Sequence, residues 1–120
     1  DMNRDIKDLN DIRILVDTFY EHAATDNLLG SIFSKIENSH LHKDALYKYW
    51  ETVLLTHTSN GEKFPKHIEL MFSPQHFVRW LTMFLETIDT LYSGPTAEKA
   101  KIIVIGKSEE FQSGLGFIIF

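Results

Sequence analysis

Apolar residues recur along this chain at helical rather than strand spacing. Between Asp11 and Ala24 the positions Ile12, Leu15, Val16, Phe19 and Ala23 form one stripe, the mark of a helix with a single buried face. Asn10 stands where an N-cap belongs, and Asp26-Asn27 marks the turn after the helix. Leu28 to Phe33 reads as a short apolar connector or helical turn. The period returns near His40, where His42, Leu46, Tyr49 and Val53 fall at i, i+4, i+7 and i+11 with Trp50 beside them. Thr56 to Gly61 is polar and ends in the turn dipeptide Asn-Gly, and Phe64 to Phe72 leaves room for one or two helical turns. Ser73-Pro74 is a cap residue followed by a proline in the first turn, and it opens the clearest stripe: Phe77, Trp80, Leu81, Phe84, Leu85, Ile88 and Leu91. Gly94-Pro95 ends that helix and starts the last, which carries Ala97, Ala100, Ile103, Val104 and Phe111 before Gly114. Four longer helices and a short one predict an all-α domain.

Length fits this picture, since 120 residues make one compact domain, taken as residues 1–120. The formal net charge of -5 lacks the basic footprint of a nucleic-acid binder and offers no polybasic segment to an anionic membrane. The apolar run from Leu115 to Phe120 is far short of the ~20 residues of a spanning helix and reads as a docked tail. The first residues, Asp-Met-Asn-Arg-Asp, carry no apolar signal segment. With no cysteine, disulfides, thiolate metal sites and cysteine nucleophiles are excluded, and a cytoplasmic location is the expectation.

The remaining chemistry is narrowed by spacing. The zincin pattern His-Glu-x-x-His is absent, and Glu37 to His40 is the one Glu-x-x-His pair where a di-iron bundle needs two. His40 and His42 point roughly 200° apart on a helix and would share a metal only in an extended segment. No glycine-rich phosphate loop and no Gly-x-Ser-x-Gly elbow is present. What the residues permit is a flat apolar slot between helices with one histidine able to hold haem iron. His67, within Phe64-Pro65-Lys66-His67-Ile68-Glu69-Leu70-Met71-Phe72, is in the right setting, although a lone histidine in apolar company is often a core residue. Tyr20 and Trp80 each carry a donor that needs a partner when buried.

An ordered set of segments makes this more specific. Phe19-Tyr20 is followed by Leu29-Gly30-Ser31-Ile32-Phe33, then His42 with Tyr49-Trp50, then His67, then His76-Phe77-Val78-Arg79-Trp80-Leu81. In order and spacing the chain resembles a truncated haemoglobin of group III, from about Ile12 to Ala100, and it lacks the Gly-Gly pairs of the other truncated groups. The resemblance implies a globin-like, truncated two-over-two helical sandwich that binds haem b (iron protoporphyrin IX). His67 would be the iron ligand. Tyr20 and Trp80 would be hydrogen-bond donors on the ligand side, with His42 at the entrance and Leu46, Tyr49 and Trp50 on the wall. Phe33 would pack on the haem, Phe72 and Phe77 would complete the apolar contacts, and Lys63, Lys66 and Arg79 would be candidate partners of the propionates. Expected ligands are O2, NO, CO or peroxide, and redox turnover would need a separate electron donor. The chain departs from the pattern at Ser39, where a tryptophan is usual, and at Lys43, where an apolar residue is usual. His42 is preferred over His40 as the inward residue because the stripe of His40 runs through Asp44, Tyr47 and Glu51. The alternative is a helical interaction or sensing domain without haem.

Overall fold

A computed structural model describes residues 4–33, 39–56 and 74–112, with side chains for 4–31, 43–56 and 75–106. Every element in these segments is helical: α1 (Leu9–Thr25), α2 (Gly30–Phe33), α3 (Ser39–Glu51) continued by a π-helical segment (Thr52–Thr56), α4 (Pro74–Leu91) and α5 (Pro95–Gln112). Helix α1 packs on α3, α4 on α5, and α1 crosses to α4. That is two helices over two. Among the described residues no helix is long and apolar enough to cross a membrane.

The start of α1 differs from the expectation. Asp8, not Asn10, is the N-cap: it has extended backbone and accepts from Asp11 N at 3.0 Å. Either residue type can cap, but Asp11 decides the register. Its fully buried carboxylate accepts from Lys7 N at 2.8 Å and pairs with Arg4, which fixes the chain just before the helix. The far end of α1 closes on Asp26, whose Oδ2 accepts from Leu28 N and Leu29 N at 2.9 and 3.0 Å. Gly30 then lies so near α1 that a Cβ there would stand 2.9 Å from the Ala24 carbonyl oxygen.

The expected breaks around α4 are present. At the α4–α5 corner Gly94 has φ 135°, where L side chains are strained, and a Cβ there would meet Asp5 Cγ at 2.5 Å. Asp5 is there because its carboxylate caps α5 from a distance, accepting from Thr96 N and Ala97 N at 2.9 Å each. Tyr92, just past α4, donates from its hydroxyl to the Asp11 carbonyl at 2.8 Å. The N-terminal segment thus ties the start of α1 to the corner between α4 and α5.

The core is built from the predicted stripes. Ile12, Leu15, Val16, Phe19 and Ala23 of α1, Phe77, Trp80, Phe84 and Ile88 of α4, and Ala97, Ala100 and Val104 of α5 are buried.

Candidate functional site

Where α1, α3 and α4 meet, the core becomes aromatic. Phe84 is its centre: its ring centroid lies 4.7 Å from Phe19, 5.7 Å from Trp50 and 5.8 Å from Trp80. Trp80 extends the group to Phe77 at 5.2 Å and meets Phe19 edge-on at 6.5 Å. Tyr49 stands edge-on to Trp50 at 5.4 Å. Tilted and edge-on rings at these separations add about 0.5–1.5 kcal/mol per pair beyond area burial, so this wall is stiff.

Buried polar atoms lie within this apolar core. Trp80 Nε1 is buried and has no hydrogen-bond partner among the described residues. A buried donor without an acceptor costs about 1–3 kcal/mol, so it marks a place where a partner is called for. The Tyr20 hydroxyl is buried, and burial pushes its pKa up to about 12. It therefore stays protonated, and a donor, at neutral pH.

Of the residues expected at a haem site, Tyr20, Leu46, Tyr49, Trp50, Phe77 and Trp80 are brought together and buried. Phe33 and His42 lie on helical backbone in α2 and α3. In the stripe that follows His42, Leu46 and Tyr49 are buried and Val53 is partly buried. The stripe through His40 continues with Asp44 exposed and Tyr47 and Glu51 half-buried. Lys63, Lys66, His67 and Phe72 lie outside the described residues. After Trp50 the helix widens into the π-segment, with Thr52 and Leu54 buried and Thr56 Oγ1 donating to the Thr52 carbonyl at 3.0 Å. Such π-turns often mark functional stretches of a helix.

Arg79 is engaged with Asp26. Its Nε and Nη2 lie 2.9 and 2.7 Å from Asp26 Oδ1, bracing the α1–α2 corner against α4. The Arg79 side chain is 45% exposed in this pair, and its expected place among the propionate partners stays an expectation. The hydrogen bond from Arg79 holds the Asp26 carboxyl below its ordinary pKa. An open cleft of about 370 Å³ lies beside this pair, lined by His22, Thr25, Met83, Glu86, Thr87 and Thr90 as well, and it is not the aromatic site.

Lys43 stands out in the sequence only as a departure from the resembled pattern, and the structure gives it contacts. Its ammonium lies 5.4 Å from the centroid of the Tyr20 ring and 3.7 Å from Asp17 Oδ1. The signal was available, because Lys43 is the polar residue where the resembled pattern has an apolar one. Among the described residues no group of three or more His, Asp or Glu converges in a way that could hold a metal ion.

No protein-family model and no curated protein sequence matches the chain. Among solved structures, the chain is similar to the group III truncated hemoglobin from Campylobacter jejuni, with a TM-score of 0.76, 22% sequence identity and 95% of each chain covered. At that identity the likeness speaks for the fold: this chain has the all-helical, two-over-two fold of a group III truncated haemoglobin.

Proposed function

We propose that the chain is a haem protein that binds a diatomic ligand at an iron held by His67. The observation that carries this reading is the buried Trp80 Nε1, a donor lacking an acceptor among the described residues, within an aromatic wall; the protonated Tyr20 hydroxyl is buried in the same core. The fold adds weight, since the similar solved structure is described as a group III truncated hemoglobin. When bound, haem supplies an iron centre whose reactivity depends on the polarity of the pocket around it.

The chain's own residues then divide the work. His67 would hold the group through a neutral imidazole. Trp80 and Tyr20 would offer hydrogen bonds toward the ligand and slow its release. With its pKa near 12, Tyr20 performs this at any physiological pH. Leu46, Tyr49, Trp50 and Phe77 exclude water and leave the ligand few polar alternatives. His42, one helical turn before Leu46, would stand at the entrance. Phe33 and Phe72 would contact the haem, and Lys63 and Lys66 would neutralise the propionates. Slow release suits nitric oxide or peroxide chemistry, or sensing, more than oxygen transport. Turnover would draw electrons from a separate donor.

Haem binding to the folded chain must stabilise it by mass action, by about 2.7 kcal/mol at a free concentration one hundred times the dissociation constant. Thermal unfolding of the purified protein with and without stoichiometric haem is therefore expected to show a Tm raised by several degrees. An unchanged Tm would favour the haem-free interaction domain instead.

A further inference from the structure

Arg13, Asp17 and Tyr20 stand at i, i+4 and i+7 on α1, and Lys43 and Tyr47 at i and i+4 on α3. The two rows interlock. The Arg13 guanidinium covers the Tyr47 ring at 5.6 Å, and the Tyr47 hydroxyl donates to Asp17 Oδ1 at 2.5 Å. The Lys43 ammonium lies 3.7 Å from the same Asp17 oxygen and 5.4 Å from the Tyr20 ring centroid. The row begins at exposed Arg13 and ends on the buried Tyr20. An exposed ion pair holds a lysine only weakly. A cation over an aromatic face adds attraction that grows as the site is desolvated, and the Lys43 side chain is 29% exposed.

We propose that Lys43 is a positioning residue for Tyr20. Backed by Asp17, its ammonium clamps the ring so that the hydroxyl is offered to a ligand from one fixed place. The positive charge over the ring also draws electron density from the phenol and sharpens the hydroxyl as a donor. The proposal rests on the haem-binding reading above. It makes a demand that a simple brace between α1 and α3 does not: the influence of Lys43 on a ligand must pass through the Tyr20 hydroxyl.

The test is a double-mutant cycle on O2 dissociation from the haem-loaded protein, using Lys43→Met, Tyr20→Phe and the pair. Lys43→Met is expected to speed release about three- to tenfold, the range for weakening one hydrogen bond. In the Tyr20→Phe background the same change is expected to alter release by less than about 1.5-fold. Lys43→Arg, which keeps the cation, stays within about twofold of the parent. Asp17→Asn is expected to speed release by less than Lys43→Met, and only where the Tyr20 hydroxyl is present. In the haem-free protein, NMR should find the Lys43 ε-methylene protons shifted upfield by the ring and restored to ordinary positions by Tyr20→Leu. An equal effect of Lys43→Met in both backgrounds, no effect in either, or unshifted ε-methylene protons overturns the proposal while leaving haem binding intact. A protein with no haem band overturns the haem reading and this proposal with it, while the NMR shift still reports the Lys43–Tyr20 contact.

Discussion

At the scale of single residues, two carboxylates hold turns together and should set the acid limit of the fold. Burial alone would raise the Asp5 pKa, but the backbone N–H groups of Thr96, Ala97 and Ile6 outweigh it and hold the group below its ordinary value. Asp26 is lowered by its hydrogen bond from Arg79 and by the Leu28 and Leu29 N–H groups. A carboxylate with a depressed folded pKa binds fewer protons folded than unfolded. Its stabilisation is therefore full above the unfolded value of ~3.9 and drains as pH falls through the folded value. Asp5→Asn should consequently cost stability at pH 7, and the gap to the parent should shrink as pH drops below about 4. Urea unfolding across that range checks this, and a gap that stays constant with pH would refute it. Neither contact was legible in the sequence. Asp5 meets Thr96 across 91 positions and Arg79 meets Asp26 across 53, and short polar side chains carry no periodic signal that names a distant partner. Trp80 was legible because it stands on an apolar stripe and Tyr20 because it adjoins one, where burial follows from helical phase.

Helices differ in how plainly they are written. Helix α4 is bounded by Ser73-Pro74 and Gly94-Pro95 and has an unbroken stripe, so both ends fall where expected. Helix α5 buries Ala97, Ala100 and Val104 yet exposes Ile102 and Ile105, which blurs its pattern. The start of α1 was ambiguous because Asp8 and Asn10 are both good caps, and a buried contact of Asp11 decided between them. The π-segment after Trp50 has no local sequence signature. Packing between elements centres on Phe84, which touches rings from α1, from α3 and from its own helix. Its removal should open a cavity that three rigid rings cannot collapse into. Phe84→Ala is expected to destabilise the protein by about 3–5 kcal/mol, read from the midpoint of urea unfolding. A loss under about 1 kcal/mol would mean the aromatic junction is not the packing centre.

At the scale of the whole fold, the described residues form two helical pairs joined through α1 and α4, with the N-terminal segment fastening the α4–α5 corner. This fold class followed from periodicity, while the particular member of the class came from the ordered segments around Tyr20, His42, His67 and Trp80. Among the described side chains, Tyr20 and Trp80 are buried in one core with the aromatic wall, and their role as donors to a ligand belongs to the proposal. The iron ligand is the complementary half of the proposal and rests on the setting of His67 in the sequence. An absorption spectrum of the purified chain titrated with haem tests that half directly. The proposal predicts a sharp Soret band that saturates at one haem per chain and is lost, or replaced by the broad band of free haem, in His67→Ala. No Soret band in the parent, or an unchanged one in His67→Ala, would contradict it.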